Sequence, residues 1–227
     1  MTRWDTPHWI AIGLTIGLGI GSGLSLRRSD PSARVGALRA LALALVLSGT
    51  AVVVADRLRG VPWHSAAPLH LCDLSVFLAA AAALRPREGL VATAYFWCLA
   101  GAFPAMLWPD LAYDFPHHRF VLYFVQHGLL VVAALTFALA LPFRAPFRRA
   151  LHAWLAMNAC ALVVAGINVR FGFNYMYLSR PPGAGSPLDV FGPWPGYIVG
   201  GELVAVALFA VLALPVWWWA KREAVCD

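Results

Sequence analysis

The chain has 227 residues, 61% apolar and only 12% charged. Soluble domains carry about 45–50% apolar and about 25% charged residues, so this composition excludes an ordinary soluble domain. The 17 Lys and Arg exceed the 11 Asp and Glu, which in an apolar chain points to basic loops on one side of a membrane rather than to nucleic acid.

The charges are clumped. Residues 6–26, 40–55, 89–109, 120–143, 150–169 and 203–220 contain no Asp, Glu, Lys or Arg, and a helix of about 20 apolar residues spans a bilayer. Taken in chain order, the first helix covers about 7–26. It is long enough to span and has no cleavage site, so it is not a signal peptide. Gly13, Gly17 and Gly21 recur every fourth residue along it, a spacing that favours close helix packing. A second helix covers 36–55. A third covers 68–84, started by Pro68, interrupted by Asp73 and ended by Arg85-Pro86-Arg87. The fourth and fifth cover 89–108 and 119–141, the sixth 149–169 and the seventh 195–220. Between the last two, residues 171–194 are too rich in Gly and Pro to be helical throughout. The tryptophans, including Trp63, Trp108, Trp194 and the 217–219 run, suit the interfacial belts.

The expected fold is therefore all-α: a polytopic, multi-pass cell-membrane protein whose seven transmembrane helices form one domain over 1–227. Eleven Lys and Arg fall on the side that receives the 27–39, 85–88 and 142–149 loops and the tail, and six on the other. Positive residues collect in the cytoplasm, so the N-terminus is expected outside and the C-terminus inside. The four cysteines fit neither a disulfide framework nor a zinc pattern, and no cofactor or metal is expected. The sequence does not specify an oligomeric state.

Polar groups inside a bilayer are costly and mark functional positions. On this topology most gather in the outer third. His70, Cys72 and Asp73 fall in the first turns of the third helix, with Tyr123, Gln126 and His127 about two turns into the fifth. Asn168 closes the sixth, Asn174 and Tyr175 follow it, and Glu202 lies about two turns into the seventh. At roughly 100° per residue, His70 and Asp73 share a face, and the acid is expected to orient the imidazole. Cys72 points about 200° away from His70, so its base is expected from another helix. His127 is the leading candidate, with Tyr123 about 40° from it. A free cysteine is also a common small core residue, and either histidine can be structural.

The words Pro-Leu-His-Leu-Cys-Asp-Leu-Ser (68–75), Gln126-His127-Gly128, Asn174-Tyr175-Met176-Tyr177-Leu178 and Gly192-Pro193-Trp194-Pro195 resemble the YwaF-type family of bacterial integral membrane proteins. Gly101 and Trp108-Pro109-Asp110 add to the resemblance, and Pro104 departs from it, standing where relatives are expected to have a polar residue. The family looks related to vertebrate multi-pass, cysteine-dependent phospholipid acyltransferases. That resemblance implies Cys72 as the acyl-accepting thiol and a histidine of the same core, His127 or His70, as its base; the depth of these residues in the membrane makes membrane phospholipid the expected partner. Asp73, Glu202, Tyr123, Gln126, Asn168, Asn174 and Tyr175 would orient the pair or line its pocket, and Asn168, Asn174 and Tyr175 would be the oxyanion donors.

The expected function is thus a membrane-embedded lipid-modifying enzyme that transfers or removes acyl groups through a Cys–His pair open to the outer leaflet. Two alternatives use the same residues. One is a small-ligand or ion binding or transport protein, with a polar pocket in the outer half of the bundle. The other is a metal-dependent membrane hydrolase with His70, Asp73, His127 and Glu202 as ligands, a set of N and O donors that suits Zn²⁺.

Overall fold

Aspartate followed by proline or a small residue starts the first two helices. Asp5 Oδ1 accepts the His8 N–H at 3.0 Å to open α1 (Thr6–Arg28). Asp30 Oδ1 accepts the Ser32 and Ala33 N–H groups, both at 2.9 Å, to open α2 (Pro31–Leu58). Each cap satisfies N–H groups that have no partner inside the helix. The computed structural model describes residues 4–141, 143–144, 146–183 and 186–226. Arg3 lies outside the described residues, as do the side chains of Arg222 and Cys226.

The chain continues through a short turn, Trp63–Ala66, into α3 (Leu71–Leu84) and α4 (Glu88–Leu107). Then follow α5 (His118–Ala140), α6 (Pro146–Phe171) and α7 (Gly196–Cys226). Among the described residues, six of these helices are long and apolar enough to cross a membrane. The exception is α3. Its 14 residues extend about 20 Å at 1.5 Å each, against about 30 Å of hydrocarbon. It begins three residues later than the sequence suggests, because Asp73 reaches back to accept the His70 N–H at 3.2 Å. That bond fixes His70 as the extended N-cap (φ −71°, ψ 154°) in half of a capping box, and it leaves Pro68 outside the helix.

The helices run alternately between two ends. At one, Asp56 pairs with Arg119, Arg59 donates to Tyr113, and the 59–70, 108–117 and 172–195 segments meet. At the other, Glu88 pairs with Arg149 and accepts the Arg144 N–H, while Arg27 lies over the Trp219 ring. In the centre stand α4 and α5, whose apolar stretches are 50% and 61% buried against 22–28% for the other four spans. Helices α1, α2 and α3 cover one side of this pair, and α6 and α7 the other. Ser22 and Thr136, 2.6 Å apart, tie α1 to α5. Trp97 Nε1 donates to Ala153 O and Tyr95 OH to Leu212 O, both at 2.9 Å, tying α4 to α6 and α7.

Two local features differ from the sequence reading. Gly13, Gly17 and Gly21 face open space, so they make no helix contact. The packing glycines are Gly19 and Gly23, also four apart: a Cβ on either would stand 2.7 Å from Leu135 or Leu139 of α5. A spacing of four identifies a stripe but not its direction, and α1 turns its other face inward. The second feature is a π-turn at Cys98–Ala102 within α4. Pro104 follows directly and has no N–H to continue the ladder, and a widened turn absorbs that mismatch.

Candidate functional site

The first turn of α3 is a meeting point of four segments. Asp73 is its electrostatic centre: Oδ2 takes the His70 backbone N–H, and Oδ1 takes Gln126 Nε2 from α5 at 3.0 Å. Both carboxylate oxygens are therefore occupied by neutral donors. The acid holds the backbone of His70 and not, as the helical spacing suggested, its imidazole, because His70 lies outside the helix.

The His70 ring is placed by the 174–180 loop. Met176 N–H donates to His70 Nδ1 at 3.2 Å, so a neutral His70 carries its proton on Nε2 and is a donor at its free edge. Tyr175 and Tyr177 flank the ring, with centroids at 5.2 and 5.5 Å. The loop is built tightly. Asn168, buried at the end of α6, gives Nδ2 to Tyr175 O and takes Tyr175 N–H on Oδ1. Asn174 accepts from the Ser179 and Arg180 N–H groups and donates to Arg180 O. Tyr175 OH reaches His64 O at 2.7 Å. The polar atoms expected to stabilise an oxyanion are thus committed to holding this loop. Within it, Met176 and Tyr177 both have left-handed backbones (φ 55° and 54°), a conformation that costs of order 1–3 kcal/mol per non-glycine residue. The Met176–His70 bond and the Tyr197 hydroxyl on Tyr177 O at 2.6 Å hold them there.

Tyr177 and Asp110 are members of the cluster that composition and helical spacing do not single out. Tyr177 OH donates to Asp110 Oδ2 at 2.7 Å. Burial, together with that carboxylate, pushes the phenol above its ordinary value, so it remains a donor. Both residues belong to the family-like words Asn-Tyr-Met-Tyr-Leu and Trp-Pro-Asp, which are the signal that marks them.

His127 is prepared differently. Its Nδ1 lies 2.8 Å from Tyr123 O. A carbonyl only accepts, so Nδ1 carries the proton and Nε2 keeps a basic lone pair. The Tyr123 ring stacks on the imidazole at 4.1 Å, and its hydroxyl donates to Ala105 O at 2.8 Å. His127 stands within electrostatic reach of His70.

Cys72, half-buried, faces the π-turn of α4: a Cβ on Gly101 would lie 3.9 Å from its Sγ. Cys98, Tyr123 and Tyr177 stand within electrostatic reach of the thiol. Among the described residues no hydrogen bond joins Cys72 to His70 or His127. On the adjoining side of α3, a cavity of about 160 Å³ opens toward α2, lined by Val46, Gly49, Thr50 and Val53 with Asp73 and Val76.

Glu202 is elsewhere. Its Oε2 accepts Trp154 Nε1 at 3.0 Å and Asn158 Nδ2 at 3.3 Å, both from α6. Asn158 is central in α6, so the acid sits near mid-bundle and not in the outer third. The metal quartet His70, Asp73, His127 and Glu202 is therefore not assembled. Among the described residues no three His, Cys, Asp or Glu side chains are grouped to hold an ion.

The model of the TMEM164 family, a multi-pass membrane family, matches residues 3–213. No curated protein and no solved structure matches the chain.

Proposed function

The chain belongs to the TMEM164 family, and from the arrangement inside its membrane frame we propose that it is a lipid-modifying enzyme that transfers acyl groups through Cys72. The observation that carries this reading is the His127 tautomer. Its Nδ1–H is anchored on Tyr123 O, which leaves Nε2 as a base beside the cluster that surrounds the thiol. The cavity between α2 and α3 supports it, as an apolar opening next to the Cys72 turn. The reading includes seven membrane crossings, with α3 and the polar segment before it making the third. It also places the N-terminus outside, in keeping with the bias of basic residues toward the opposite end.

In the proposed reaction His127 Nε2 takes the thiol proton, and the Cys72 thiolate attacks the carbonyl carbon of a phospholipid ester. A C–S bond forms and the ester C–O bond breaks. The imidazolium returns its proton to the departing lysolipid alkoxide. A second lipid hydroxyl then gives its proton to His127 and displaces the thiol, restoring Cys72. His70, with its proton on Nε2 because Nδ1 accepts the Met176 N–H, is the donor for the developing oxyanion. Pairs of this kind commonly tighten only in the substrate complex, so the closing of Cys72 on His127 belongs to the proposal.

Intact-mass spectrometry of the protein in phospholipid vesicles tests it. The expected result is an acyl adduct on Cys72, lost in Cys72→Ser, with turnover lowered at least about 100-fold in His127→Gln, the scale of general-base loss. Acyl exchange that persists in Cys72→Ser overturns the reading.

A further inference from the structure

The Glu202 cluster takes no part in the proposed reaction, and its geometry is unusual for a purely structural contact. Both donors, Trp154 Nε1 and Asn158 Nδ2, fall on Oε2. Among the described residues the other oxygen, Oε1, takes no hydrogen bond, and Glu202 is half-buried. The residues around it on α6 and α7 are lipid-facing: Leu155, Val199, Leu203 and Val206 are 48–65% exposed. A glutamine would tie α7 to α6 equally well without placing an ionisable group in hydrocarbon, where such groups are costly.

Among the described residues no basic side chain pairs with Glu202. Residues 150–169 and 203–220 carry no Lys or Arg, and neither do residues 89–109 of the neighbouring α4. The titratable group on the exposed side of α6 nearest in sequence to the two donors is His152. It lies two residues before Trp154 and six before Asn158, about 3 and 9 Å along the axis and about 200° around the helix from Trp154. A second copy, lacking a basic residue at mid-span, does not supply the charge either. The missing element is a positive side chain at mid-bilayer depth, delivered by another membrane segment.

We propose that the α6–α7 seam around Glu202 is a docking surface for a transmembrane helix of a different protein that carries a Lys or Arg at mid-span. The basic group meets Oε1, while Trp154 and Asn158 hold the carboxyl rotamer in place. Interhelical polar contacts of this kind are among the interactions that associate helices in lipid.

The test uses the full chain in phosphatidylcholine vesicles, with energy transfer to a labelled Leu/Ala transmembrane peptide bearing one central Lys or, as a control, Leu. The expected result is about ten-fold tighter binding of the Lys peptide, the range of one interhelical polar contact. The preference should fall to within about two-fold in Glu202→Gln and persist in Asp73→Asn. Glu202→Gln keeps the acceptor for Trp154 and Asn158, and its size-exclusion profile verifies folding. Equal binding of the two peptides overturns the proposal, as does a preference that survives Glu202→Gln. Displacement of the Lys peptide by butylammonium at equal affinity assigns the site to a small cation and overturns the helix as occupant. None of these readouts depends on acyl transfer.

Discussion

Asp73 and Glu202 both lie on helices of the bundle, and the protein treats them in opposite ways. Asp73 is held by its own chain: one oxygen caps α3, the other takes Gln126, and the carboxyl joins α3 to α5 through neutral donors. Glu202 is half satisfied, with two donors on one oxygen and none on the other, on a seam that faces lipid. The contrast separates a carboxylate that builds a site from one that is left available. Intramembrane charge by itself identifies neither role; the count of partners on each oxygen does.

The largest test of this contrast is to remove each acid. Asp73→Ala takes away a helix cap and strands the Gln126 amide and the His70 N–H. The expected loss is about 2–4 kcal/mol, from the cost of a cap plus that of buried unsatisfied donors. Glu202→Leu caps no helix and leaves only Trp154 Nε1 without its acceptor, since Asn158 Nδ2 also reaches Trp154 O, so it should cost less, about 1 kcal/mol. Thermal unfolding of both variants in one detergent measures the difference, and equal losses would erase the distinction. Next in size is the α1–α5 contact that frames the enclosed site. Gly19→Leu must push Leu135 aside and should cost about 1–3 kcal/mol, the usual penalty of overpacking. Gly17→Leu, facing open space, should be near neutral by the same assay. The Asp30 cap of α2 gives a smaller, pH-dependent effect. Its hydrogen bonds to Ser32, by the side chain, and to Ala33 lower its pKa. The stabilisation is therefore complete above the unfolded value of about 3.9 and is lost as pH falls through the lower folded value. Asp30→Ala should flatten that acid limb of the melting profile.

Much of the architecture is legible in composition. Six apolar runs become six helices because hydrocarbon demands internally bonded backbone, but charge-free length marks only their centres: α2 starts nine residues before its run and α7 seven before. The exceptions are set by single side chains. The start of α3 depends on one carboxylate reaching back three residues, so Pro68 and the angular argument for His70 are misleading there. The depth of Glu202 is read from the α6 side chains it meets, Trp154 and Asn158, and residue counts along α7 carry no such information. That His70, Gln126, His127, Asn174 and Tyr175 lie toward one end was readable from topology. Their bonds were not, because a helical wheel orders directions on one helix and is silent on what the next helix presents. The His127 tautomer is a further case: it follows from a carbonyl four residues earlier that only the coordinates place at 2.8 Å.

The smallest effect is the most discriminating. Glu202→Gln preserves an sp² oxygen that accepts from Trp154 Nε1 and Asn158 Nδ2, so the α6–α7 contact is retained and melting should move by no more than about 0.5 kcal/mol, the scatter of substitutions away from enclosed features. Asp73→Asn is isosteric in the same sense, yet it should cost more. Its amide retains only one acceptor oxygen, while the His70 N–H and Gln126 Nε2 approach different oxygens, so one donor faces an NH₂ group. A lost hydrogen bond with its donor left buried is worth about 1–3 kcal/mol. If the two amide variants melt together, Asp73 is no more built into the fold than Glu202. If only Asp73→Asn falls, the charge at position 202 serves something other than stability.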